Sequence, residues 1–154
     1  MRQSAPFTPG ARVGLTTTIP VEVVLAAGLI PVDLNNLFIA DPLALARVSQ
    51  AEAAGFPRTL CAWIKGIYSA LKAHPEIQAV IAACQGDCSN TQALGEILAA
   101  EGIEVIHFKF PYLRDREQLA REISALMDRL GADPGAVARM QARLTPVRRQ
   151  LRRL

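Results

Sequence analysis

The order of elements predicts an α/β chain with an open parallel sheet of about four strands, helices on both faces and a basic helix at the C-terminal end. Three observations carry that prediction. A short β-branched run, a Pro-led apolar segment and a second short β-branched run occupy residues 12–34 as a β-α-β unit. The apolar run Ala79 to Ala83 has the continuous character of a strand buried on both faces. Strand-like and helix-like segments then keep alternating to the end of the chain.

The elements follow in order. Arg12 to Thr18 lies between Gly10 and Pro20 and reads as a first strand. Pro20 suits a first helical position, Val21 to Ala27 continues the helix, and Gly28 stops it. Ile30 to Leu34 is the second strand. Asp41-Pro42 is a cap followed by Pro, so Leu43 to Ala54 reads as a helix that Gly55 and Pro57 end. From Leu60 to Ala73, Leu60, Ile64, Ile67, Tyr68 and Leu71 recur at spacings of three and four, the mark of a helix with one apolar face. Cys61 falls in its first turn.

Glu76 to Ala83 is the buried third strand, and it runs into Cys84-Gln85-Gly86-Asp87-Cys88. Ser89 or Asn90 caps the next helix, which extends to about Ala100. Gly102 precedes a fourth strand, Ile103 to Phe108. Arg114 to Leu130 is a long amphipathic helix closed by Gly131, and Asp133-Pro134 opens a last one. The chain reads as a single domain, 1–154, with a core over about 12–131 and a basic tail over 132–154.

Composition narrows the function classes. At 154 residues and 51% hydrophobic, the chain can bury one sizeable core. The opening residues show no continuous apolar leader, and Val21 to Val32 is broken by Gly28 and Pro31, so neither export signal nor membrane anchor is expected. The expected location is the cytoplasm. Arg139, Arg143, Arg148, Arg149, Arg152 and Arg153 sit near the end without an acid among them; taking them from the net +3 leaves a body at −3. Such a helix more often docks on a partner or stands in solvent than binds nucleic acid. No phosphate-binding loop or dinucleotide glycine fingerprint is present.

Three cysteines in a chain without export signals point to metal or thiol chemistry rather than disulfides. Cys84 and Cys88 flank Gly86 at the carboxyl end of a strand, where sites on open α/β sheets lie. Amides and the positive end of a helix favour a thiolate over a thiol. Cys61, opening an earlier helix, can reach the same end of the sheet. The competing readings are buried apolar cysteines, a redox pair, and zinc, for which His74 and His107 lack the spacing of a motif. Three thiolates at Cys61, Cys84 and Cys88 would suit a [4Fe-4S] cluster with one iron left open, or a larger cluster shared in a homodimer. Thr16 to Thr18 could line such a site, Trp63 and Tyr68 could shield it, and Glu22 reads as a first-turn acid.

The run Val13-Gly14-Leu15-Thr16-Thr17-Thr18-Ile19-Pro20-Val21-Glu22-Val23-Val24-Leu25-Ala26-Ala27-Gly28-Leu29-Ile30-Pro31-Val32, with Cys61 and the segment Gln85-Gly86-Asp87-Cys88-Ser89-Asn90-Thr91, resembles the 2-hydroxyacyl-CoA dehydratase and benzoyl-CoA reductase family. The likeness is to the N-terminal half of a subunit such as the D-component of 2-hydroxyglutaryl-CoA dehydratase. It implies a Rossmann-like or flavodoxin-like half-subunit in which Cys61, Cys84 and Cys88 bind a [4Fe-4S] cluster, or a double-cubane-type cluster shared between copies. It also implies an ATP-dependent iron-sulfur activator as electron donor, an acyl-CoA substrate, and a lyase or reductase reaction. Family subunits carry a second lobe that this sequence does not include, so the resemblance implies a second copy or a separately encoded second half. A module that only carries electrons, and a metal-free interaction domain, are the alternatives.

Overall fold

The computed structural model describes residues 7–153. Residues 1–6, read above for an apolar leader, and Leu154 lie outside the described residues. Among these residues four strands, β1 (Arg12–Leu15), β2 (Ile30–Asp33), β3 (Ile77–Gln85) and β4 (Glu104–Lys109), form one sheet in the order β2-β1-β3-β4. Every pairing is parallel, with Leu15 opposite Asp33 on one side and Ile81 on the other. The fold class is the one the sequence predicts. Chain order reverses between β1 and β3, so the crevice at their carboxyl ends is a topological switch point.

Among the described residues seven helices surround the sheet: α1 (Val21–Ala26), α2 (Leu34–Ile39), α3 (Ala44–Ala53), α4 (Ala62–Lys72), α5 (Ser89–Ala100), α6 (Arg116–Leu130) and α7 (Pro134–Leu151). Alternation along β3 separates two cores. Ala79 and Ile81 pack with Val23, Val24, Leu126 and Leu130 on the face covered by α1 and α6. Val80 and Ala82 pack with Leu34, Ile67, Leu94 and Leu98 on the face covered by α2, α4 and α5. That second face carries the cysteine-bearing helices.

Caps fix where the helices start. Asp33 accepts the amides of Asn35 and Asn36 at the head of α2, Asp115 those of Glu117 and Gln118 at α6, and Asp133 that of Ala136 at α7. Gly131, left-handed at φ 67°, ends α6. The sequence reading ended the second strand at Leu34 and assigned no element before Asp41, where the structure has helix α2. The close approach of α2 to α4 is set by Gly66, where an added Cβ would lie 2.1 Å from the Phe38 ring. Helix α7 has no buried residue among those described and packs along α1. No helix among the described residues is long and apolar enough to cross a membrane.

Candidate functional site

The switch-point crevice contains a cavity of about 400 Å³ whose lining includes Thr16, Thr17, Cys61, Trp63, Asp87 and Cys88, with Asn35 and Thr91 also on its wall. Each comes from the carboxyl end of a strand or the amino end of a helix. The two cysteines occupy equivalent places. Cys61 is the N-cap residue of α4 and Cys88 that of α5, both with extended ψ and both exposed. The cap position of α5 thus falls on Cys88, ahead of Ser89 and Asn90, the two caps expected from the sequence. Neither helix receives a side-chain cap, so two amide-rich helix ends open on one cavity, a setting that favours anionic ligands and thiolates.

The loop carrying Cys61 is anchored from inside. Lys65, one turn into α4 and 2% exposed, donates to Glu52 Oε1 at 2.7 Å and to the Arg58 carbonyl at 3.1 Å. Its hydrogen bond, set against some desolvation, holds the Glu52 carboxyl below its usual range. On the opposite wall, Asn35 Nδ2 donates to the Thr16 carbonyl at 2.9 Å, and its Oδ1 accepts from Trp63 Nε1 at 2.7 Å. This side chain stitches the end of β1 to the start of α4. Trp63 also meets Phe38 edge to face at 5.5 Å.

Cys88 has its own support. Asp87 Oδ1 accepts the Cys88 amide at 2.8 Å, and Asp87 Oδ2 accepts the Thr91 hydroxyl at 3.3 Å. The Thr91 oxygen, 4% exposed as a residue, lies 3.5 Å from Cys88 Sγ. Both Asp87 oxygens are therefore occupied within the turn.

Cys84 is placed differently. It belongs to β3, half-buried, at the register shift between Ala83 and Gln85, and its Sγ lies 3.6 Å from the Phe108 carbonyl on β4. It is not among the residues lining the cavity that Cys61 and Cys88 share. Among the described residues, no three His, Cys, Asp or Glu side chains stand together in an arrangement that could hold a metal ion. One chain thus brings two of the three expected thiols to one cavity and does not by itself present the four sulfur ligands a cubane cluster takes.

A second cavity of about 410 Å³ adjoins the first, sharing Thr17 and Asn35 with it and reaching Thr18, Asp33 and Arg148. Arg148 Nη2 donates to Glu22 Oε2 at 2.7 Å, bridging α7 to α1. Burial alone would push the Glu22 carboxyl up; the Arg148 hydrogen bond, a backbone hydrogen bond and the guanidinium charge outweigh it and hold that carboxyl below its usual value. Tyr68, expected near the site, instead lies buried against Phe56 and donates to Glu101 at 2.7 Å. His74 lies 2.9 Å from Glu76 through its Nδ1 and is not among the residues lining the cysteine cavity.

Asn35, Asp87, Thr91 and Arg148 are the lining and supporting residues that sequence reasoning passed over. Thr91 had a signal, three residues beyond Cys88 and therefore one turn into the same helix. Asn35 and Arg148 had none, since each acts through a neighbour distant in sequence.

No curated protein matches the chain with significance. A family model does, that of the 2-hydroxyglutaryl-CoA dehydratase D-component, over residues 16–144. That span runs from Thr16 at the end of β1 through the whole cysteine cavity and most of α7, and the chain belongs to the 2-hydroxyglutaryl-CoA dehydratase D-component family.

Proposed function

We propose that the chain is an iron-sulfur component of a 2-hydroxyacyl-CoA dehydratase or benzoyl-CoA reductase-like system, working with a partner subunit and an ATP-dependent activator in the cytoplasm. The single observation that carries this reading is the pairing of Cys61 and Cys88, each heading a helix whose uncapped amide end opens on the same cavity at the switch point. Two exposed thiols aimed at one volume are poorly explained as core filling, because buried cysteine earns its place by exclusion from water. Helix amino ends favour the thiolates that iron requires. Family membership supports the chemical class of the system.

In this reading Cys61 and Cys88 would hold iron, and a bound cluster would supply one-electron chemistry. Asp87 and Thr91 fix the Cys88 turn, while Lys65 and Glu52 fix the approach of Cys61. Thr17 and Asn35 line both the cysteine cavity and its neighbour, and Trp63 lines the cysteine cavity. Cys84 is the third ligand expected from the sequence, and its contact with the Phe108 carbonyl would have to be given up for it to reach iron.

The test is anaerobic reconstitution with ferrous iron and sulfide, followed by iron and acid-labile sulfide analysis and EPR of the reduced protein. Cys61→Ser and Cys88→Ser should each abolish the cluster signal. Protein that takes up neither iron nor sulfide leaves the family fold without its proposed cofactor and overturns the reading.

A further inference from the structure

Helix α7 carries an apolar stripe that outruns the body it packs on. Val137, Met140, Leu144, Val147 and Leu151 recur at spacings of three and four, which places them on one face of the helix. Val137 packs against the core and Met140 and Leu144 are half-buried, but Val147 and Leu151 are 50% and 63% exposed. The lengths of the two helices account for the change. Helix α1, on which α7 lies, has 6 residues and spans about 9 Å, whereas the 18 residues of α7 span about 27 Å. Beside the uncovered end stand Arg149, Arg152 and Arg153, all exposed, and among the described residues none of them meets a carboxylate. From this we infer that the end of α7, residues 147–153, is a docking surface for a partner protein that offers an amphipathic helix with an apolar seam edged by carboxylates. The inference does not depend on the proposed cofactor.

The covered part of the helix shows which chemistry fits the rest. Where α1 lies against α7, Glu22 accepts from Arg148 at 2.7 Å, so an apolar contact flanked by an Arg–carboxylate pair is already one interface of this helix. The exposed end repeats both ingredients, with Leu151 continuing the stripe and Arg149, Arg152 and Arg153 continuing the charge. Charge and apolar surface together choose the partner. A phosphate backbone would satisfy the arginines and leave Val147 and Leu151 in water. A lipid surface takes up helices with a broad apolar face of Trp, Phe or Leu, and two aliphatic side chains supply little of one. A helix with apolar seam residues and Asp or Glu on its flanks covers the stripe and neutralises the arginines at once. Arg148 also lines the cavity that adjoins the cysteine cavity, so residues 149–153 follow it at the carboxyl end of the sheet. A partner seated there stands beside the candidate site.

The probe is a fluorescently labelled synthetic peptide with leucine along a heptad seam and glutamate on both flanks, whose like charges keep it from pairing with itself. It is titrated with the full chain and read by anisotropy, beside a matching peptide with lysine flanks, a short DNA duplex, and vesicles of phosphatidylserine and phosphatidylcholine. The expected result is saturable binding of the acidic peptide and none of the basic one, with slower amide exchange over residues 147–153 and unchanged exchange in α5. Leu151→Ser should weaken binding about tenfold, and Arg152→Gln about two- to fivefold at low salt. Arg139→Gln, an exposed position in the first half of α7, should bind as the parent does. Equal losses in Arg139→Gln and Arg152→Gln would overturn the inference, since the peptide would then be sensing diffuse charge rather than the end of the helix. Tighter binding to DNA or to the vesicles than to the acidic peptide would overturn it in favour of a polyanion or a lipid surface. Binding in none of the arms would overturn it as well and leave the end of α7 a solvated face.

Discussion

Gly86 decides the shape of the turn between β3 and Cys88. Its φ of 78° lies in the left-handed region, and a Cβ there would stand 2.5 Å from Phe110 Cβ and 2.9 Å from the Phe110 carbonyl oxygen. Strain and collision act together, because neither the backbone angle nor a neighbouring main-chain atom can move cheaply. The same strand end is tied down by Gln85, whose carbonyl accepts the Phe110 amide at 3.0 Å and whose Nε2 donates to the Phe110 carbonyl at 3.2 Å. Gly86→Ala should therefore cost about 1–3 kcal/mol, read as a lower urea midpoint. It should also shift the Cys88 turn, so that, in the proposed iron-sulfur function, iron uptake falls even at temperatures where the variant stays folded. Full iron loading in a folded Gly86→Ala protein would show that this turn does not set the position of Cys88.

Helix α7 has no fully buried residue among those described; Val137 packs half-buried against the core, and the Glu22–Arg148 pair bridges the helix to α1. Glu22 has a folded-state pKa below the ordinary 4.5, so the stability it contributes is present above that value and is lost as the pH falls through the lowered one. Glu22→Gln should remove that acid-side dependence and weaken docking by about 0.5–1 kcal/mol, as for other partly exposed pairs. Faster amide exchange in α7, with α5 unchanged, is the measurement that checks it. The elements themselves were largely legible, because Pro20, Gly28, Asp133 and Gly131 punctuate the chain with residues whose backbone preferences are strong. Helix α2 was not, since Asp33 serves both as the last residue of β2 and as the cap of the next helix, leaving no break to read. Cys61 and Cys88 could be named from residue type and position, but their meeting depends on the strand order that sets α4 beside α5. The direction of Cys84 depends on a register shift between Ala83 and Gln85, which no local pattern announces.

Across the whole molecule the sheet separates a cysteine-bearing layer from a layer that carries α7. Leu98 on α5 is fully buried in the first layer, and Leu126 on α6 is 3% exposed in the second. Truncating either to Ala deletes similar apolar contacts, so each variant should lose about 2–5 kcal/mol with an unchanged denaturant slope. Their local consequences should differ. Leu98 seats the helix whose first residue follows Cys88, so Leu98→Ala should raise amide exchange in α5 and, in the proposed iron-sulfur function, reduce iron retention after reconstitution. Leu126→Ala should open α6 instead and leave iron retention near that of the parent at equal fraction folded. Equal loss of iron in both variants would mean that the sheet transmits disturbance from one layer to the other, and the cavity would then report the stability of the whole domain rather than of the layer that builds it.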